Sequence, residues 1–242
     1  MSATLEGHTL QSYDSELNHV HVKIVEMARL ALGQCSNAVQ AFEDQDFELA
    51  NRIIEREHEV DLYELEIDNE IIAVIAKRSP VARDLRVIMS LCKSVTDLER
   101  IGDEAAKIAH LTKEIFDNDR ADPSIHLLRD VTRMGGLALH ILNDAVEALD
   151  ALDLEKAKTA IKKHIELDIE FQSSLRRLTT FILEDARNVG YSISIVLITK
   201  ALERVGDHAR NIAEYIVFLV DGKDIRHSKL EINKDVHSKR MR

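Results

Sequence analysis

The chain has little of what interrupts a polypeptide. Among its 242 residues are 2 prolines and 8 glycines, so the turns of a many-stranded sheet lack their usual residues and long helices are the default. Tryptophan is absent and aromatics make up 4%, leaving aliphatic side chains to fill the core. The two cysteines, Cys35 and Cys92, stand alone in helical sequence with no CxxC spacing, which excludes a disulfide framework and a thiolate-lined zinc site. No stretch approaches the ~20 apolar residues of a membrane span, and Met1 to Asp14 lack a basic segment followed by an apolar one, so a cytoplasmic location is expected. Basic excess is missing too. A formal net charge of −11 opposes binding to a nucleic-acid backbone, and favours divalent cations or basic protein surfaces.

Apolar residues recur at three- and four-residue spacing almost throughout, which makes the interruptions informative. Ser79-Pro80 and Asp122-Pro123 read as N-caps followed by proline in the first turn, and Asp46-Phe47-Glu48 and Asp153-Leu154-Glu155 as aspartate caps with a dipole-opposing glutamate. These signals predict six helices, at about 15–44, 47–78, 80–117, 123–150, 154–184 and 188–221. The segment from Asn37, NAVQAFEDQDFE, matches DAVEALDALDLE from Asp144, a shift of 107, and ERIGDEAAKIA from Glu99 matches ERVGDHARNIA from Glu203, a shift of 104. The expected fold is therefore all-α: two tandem three-helix bundles of elongated antiparallel helices. Residues 1–14 form a polar leading segment, 15–118 the first bundle, 119–222 the second, and 223–242 a basic tail.

On the third helix, Val95, Leu98, Gly102, Ala105, Ala106 and Ala109 form one apolar stripe, with Glu99 and Asp103 at its edge. Two carboxylates four apart lie one above the other and repel, whereas Arg100 and Glu104 are expected on the solvated side. Glu203 and Asp207 repeat the arrangement in the second half. A repulsion built in twice invites a cation. Glu57 and Asp61 on the second helix supply further carboxylates, and the shift of 107 carries them onto His164 and Asp168. Oxygen-rich sites with an occasional imidazole suit divalent or trivalent metal ions, and Fe, Zn, Mn, Ni and Mg all remain open. Glu16-x-x-His19 and Glu55-x-x-His58 have the spacing of a ferritin-like metal-handling or redox bundle, but neither recurs at the repeat shift. His19, His21, His110, His126 and His140 read as helix-surface residues. No phosphate loop, nucleophile elbow or catalytic triad spacing is present, so no enzyme is expected.

The pair LERIGDEAAKIA and LERVGDHARNIAE, the segment KRSPVARDLRVIMSLCKSVTDLERIGDE and the terminal GKDIRH resemble the PhoU family, in both halves and in order. The resemblance implies tandem three-helix bundles that bind metal through E(D)xxxD motifs and act as negative regulators of the phosphate-starvation (Pho) response. Glu99, Asp103, Glu203 and Asp207 match the family's motifs, and Glu57, Asp61 and Asp168 its acidic positions on the second helix. His164 departs from them, standing where the family prefers Asp or Glu. The implied partners are the transporter ATPase PstB, the sensor kinase PhoR and a second copy of the chain. The tail from Lys223 to Arg242, with seven Lys or Arg against three acids, allows at most peripheral membrane contact.

Overall fold

The computed structural model describes residues 11–116, 125–184 and 189–226. The Asp122-Pro123 start, the expected junction at 118/119 and most of the leading segment and tail lie outside the described residues. Seven helices follow in order: α1 Gln11–Asp44, α2 Phe47–Glu55, α3 His58–Arg78, α4 Arg83–Phe116, α5 Ile125–Ala151, α6 Leu154–Glu184 and α7 Val189–Asp221. There is no strand among the described residues. The fold is the all-α tandem three-helix architecture, with one helix of the first half in two pieces.

The two aspartate caps stand as read from the sequence. Asp46 accepts from Leu49 N at 2.9 Å, and Asp153 Oδ1 accepts from Glu155 N at 2.8 Å and Lys156 N at 3.1 Å. The residue before each cap is left-handed, Gln45 at φ 54° and Leu152 at φ 50°. Asp46 N bonds Ala41 O at 2.9 Å and Asp153 N bonds Ala148 O at 3.0 Å, the long closing bond of a Schellman turn in both halves. The repeat thus extends to individual hydrogen bonds, although neither left-handed residue is glycine.

Two expectations change. The predicted helix over 47–78 breaks at Arg56 and Glu57, because the side chain of Gln34 on α1 donates to Arg56 O at 2.9 Å and occupies a carbonyl of the helical ladder. Around the break the backbone closes three-residue turns, Glu59 N to Arg56 O at 3.1 Å and Val60 N to Glu57 O at 3.4 Å. Ser79, read as an N-cap, instead ends α3 in the left-handed conformation, φ 48° and ψ 55°, with its N–H on Ile75 O at 2.9 Å. Pro80 disfavours a right-handed helical Ser79, and α4 starts three residues later than expected, at Arg83.

The halves share one core. α4 packs along α7 and α1 along α5, and a single apolar cluster runs from Leu17 and Ile24 through Leu98 and Ile101 to Leu202 and Ile216. Each such side chain, fully buried, contributes about 1.5–3 kcal/mol of transfer free energy. Polar groups cross the same seam: His21 Nε2 donates to Leu149 O at 2.8 Å, and Arg204 Nη1 donates to Glu104 at 2.6 Å. His21 and Glu104 are therefore buried, at 7% and 5% exposure, and not surface groups as expected. The neighbour that covers each comes from the other half.

Candidate metal centre

Glycine sets the helix spacing at the carboxylates. A Cβ on Gly102 would lie 3.3 Å from Val60, and one on Gly206 would lie 2.0 Å from Leu167 Cδ2, so an alanine at either place would make Val60 give or Leu167 turn aside, and glycine lets α4 lie close against α3, and α7 against α6. Val60 and Leu167 occupy equivalent places in the repeat. The close approach brings Asp61 on α3 to Glu99 and Asp103 on α4, and one ligand oxygen from each lies within 4.8 Å of the others. All three are partly buried.

The electrostatics of this trio suit a cation. Burial, then the neighbouring Asp103 charge, pushes the Glu99 carboxyl above its ordinary range. Burial also raises Asp103, with Asp61 adding to it against the pull of Arg100. Arg100 lies 3.2 Å from Glu99 Oε2 and 3.4 Å from Asp103 Oδ2 but is itself 56% exposed, a weak and screened counter-charge. Glu99 Oε2 is buried and accepts no hydrogen bond. Three partly buried carboxylates whose counter-charge is an exposed guanidinium form a set that can hold a hard, oxygen-seeking ion. Glu64, one turn from Asp61, belongs to the same field: burial raises its carboxyl first, and Asp68, Asp61 and Asp103 add to it. Glu64 begins an E-x-x-x-D pattern of its own with Asp68, but the shift of 107 carries that pair onto Phe171 and Leu175, so matching the two halves passes it over. Glu57 does not join the trio; it precedes α3 at the break, with no capping hydrogen bond.

The second half places equivalent residues together with a different outcome. His164, 2% exposed, sits between two carboxylates, with Nε2 2.9 Å from Asp207 Oδ1 and Nδ1 3.3 Å from Asp168 Oδ2. Burial opposes the charge on Asp207, but the hydrogen bond and charge of His164 outweigh it and hold this carboxyl below its ordinary range. Glu203 is taken by Lys200 Nζ at 2.5 Å. Imidazole and ammonium stand against these carboxylates, where the first half has the exposed Arg100 beside its own, and the described residues gather no second trio of ligands.

The ferritin-like spacings build no centre. Glu16 is clamped by Arg78 Nε at 2.8 Å and Lys77 at 2.5 Å, His19 is 3.6 Å from Glu70, and Glu55 and His58 lie on either side of the helix break.

Fold and site together define a tandem three-helix-bundle protein with a carboxylate cluster at the helix seam of its first half. The PhoU domain family model matches residues 24–112 and 131–216. The chain belongs to the PhoU family. It is 35% identical over 228 residues to a phosphate-specific transport system accessory protein PhoU homolog of Pseudomonas putida, covering 94% of this chain and 88% of that one. It is 32% identical over 226 residues to the accessory protein PhoU of Escherichia coli, covering 93% and 92%. The crystal structure of PhoU from Pseudomonas aeruginosa superposes with a TM-score of 0.82 at 34% identity, covering 87% of this chain and all of that one. No described helix is long and apolar enough to cross a membrane.

Proposed function

We propose that this chain is a non-enzymatic accessory protein of the phosphate-specific transport system, acting in the cytoplasm as a negative regulator of the phosphate-starvation response. It links the high-affinity transporter, through PstB, to the sensor kinase PhoR, and works as a homodimer. Its relatives, named as accessory proteins of that transport system, support the assignment. The observation that carries a role for metal is the trio Asp61, Glu99 and Asp103, gathered from two helices, partly buried and with Glu99 Oε2 accepting no hydrogen bond. Bound there, a cation would lock α3 to α4 and fix the outer face that a partner helix meets. In the second half, His164, Asp168, Glu203 and Asp207 form a weaker site in which metal must displace His164 and Lys200 from the carboxylates.

The test is alkaline phosphatase activity in phosphate-replete cells that lack the native regulator, with and without this chain supplied on a plasmid. Restored repression is expected. Continued high activity in the presence of soluble, folded protein would overturn the regulatory reading.

A further inference from the structure

The first half has a second polar feature that the carboxylate cluster does not use. Between α1 and α2, just before the helix break, lies a cavity of about 210 Å³ lined by Arg29, Gly33, Gln34, Asn37, Arg52 and Arg56, with Leu30, Leu49 and Ile53 as its apolar wall. A water's share of liquid volume is about 30 Å³, so the cavity has room for a small ion together with several waters. In a chain of net charge −11, three guanidinium groups around one cavity form a local basic island.

Their donors are only partly used. Arg29 spends Nη2 on Asp150 at 2.8 Å, and Arg56 spends Nε and Nη2 on Glu59 at 2.9 Å each. Both pairs are exposed at the arginine and therefore readily exchanged. Arg52 makes no ion pair or side-chain hydrogen bond among the described residues, which leaves its whole planar fork of donors free. Gln34 is 5% exposed; its Nε2 holds Arg56 O, while its Oε1 is buried without a partner. Gly33 has nothing within 4 Å of where a Cβ would stand, so no packing contact demands glycine in mid-helix, where it costs about 1 kcal/mol against alanine. Its lack of a side chain keeps the cavity mouth open.

Duplication does not account for any of this. The shift of 107 carries Arg29, Gly33, Gln34, Asn37, Arg52 and Arg56 onto Gly136, His140, Ile141, Asp144, Thr159 and Lys163, although the intervening Leu30-Ala31-Leu32 recurs as Leu137-Ala138-Leu139. The second half has one cation in place of three, and its α6 runs unbroken past Lys163. The helix break, its glutamine and the arginines occur together in one half only.

We propose that this cavity is a binding site for a single phosphate group, held by the forks of Arg52, Arg29 and Arg56. Guanidinium forks match tetrahedral oxyanions with paired hydrogen bonds, and a doubly charged anion needs more than one of them. Gln34 Oε1, an acceptor, suits an oxyanion that keeps a proton near neutral pH, as phosphate does. The site does not depend on the regulatory reading: a chain that failed to repress alkaline phosphatase could still bind phosphate here, and the reverse.

Equilibrium dialysis of the full chain, stripped of metal so that the carboxylate cluster cannot bridge the anion, against radiolabelled inorganic phosphate tests it, with glycerol phosphate as competitor to separate a free ion from a phosphomonoester. Expected is one saturable site for either or both anions, weakened at least about tenfold in Arg52→Ala. Gly33→Leu, whose Cβ has nothing within 4 Å and whose longer side chain enters the mouth, should weaken it similarly with helix content unchanged. Absence of saturable binding by the unaltered chain, or equal affinity in both variants, would overturn the proposal.

Discussion

Asp97 on α4 and His208 on α7 meet across the seam between the halves, with Nδ1 of the imidazole 2.6 Å from Oδ1 of the carboxylate. Asn211 Nδ2 donates to the same oxygen at 3.2 Å. Asp97 is 7% exposed, so its charge is satisfied by groups of the other half and not by water.

Removing this acceptor orphans its donors. Asp97→Ala should destabilise the chain by about 2–3 kcal/mol, lowering the urea midpoint at unchanged slope. Asp97→Ala combined with His208→Ala should cost less than the sum of the two single changes, a coupling that a double-mutant cycle measures. Additive costs would mean that the contact contributes nothing.

Glu99→Gln with Asp103→Asn should abolish metal binding in the first half, read by calorimetry, with circular dichroism unchanged. Metal-free, the double variant should be slightly more stable than the parent, by about 0.2–0.5 kcal/mol, since a like-charge pair has been neutralised. The raised carboxyls of Glu99, Asp103 and Glu64 also set a pH dependence. Protons compete with the metal, so affinity should fall as pH drops and begin to do so above the ordinary carboxylate range. Affinity flat down to that range would contradict the assignment of these ligands.

His164→Glu replaces the buried imidazole with the residue type that Glu57 supplies at the matching place. Asp168, Asp207 and the new carboxylate would then repel, so the metal-free variant should melt below the parent, and added divalent metal should raise its melting temperature more than it raises the parent's. Equal metal response in the two proteins would show that His164 does not exclude metal from the second half.

Glu16 reports on the anchoring of α1 to α3. The hydrogen bonds from Arg78 and then Lys77 hold its carboxyl down, from 4.5 to about 2. A depressed folded-state value stabilises above the unfolded value and loses that contribution as pH falls through the folded one. The stability gap between the parent and Glu16→Gln should therefore be constant above the ordinary glutamate range and close as pH falls from 4.5 towards 2. Urea titrations at a series of pH values would measure it, and a gap that widened on acidification would refute it.

Features with a local cause were legible in the sequence. Asp46 and Asp153 cap helices through their own side chains, and Glu99 and Asp103 share a face because they are four residues apart. Asp61 was found through the same spacing. What escaped depends on distant neighbours. The helix break needs Gln34, 22 residues before Arg56 in the chain. The burial of His21 and Glu104 needs Leu149 and Arg204 from the other half, which no helical periodicity encodes. His164 was legible as a departure from the acidic pattern, but not its consequence: the buried imidazole pairs with Asp168 and Asp207, where the first half has only the exposed Arg100 beside Glu99 and Asp103.

The seam of α4 against α7 has a mechanical consequence. With one continuous apolar interior spanning both repeats, neither half can tilt without dragging its twin or opening core to water. Force applied at one end of this molecule is therefore felt at the other, and the duplicated chain behaves as a single stiff lever instead of two beads on a string.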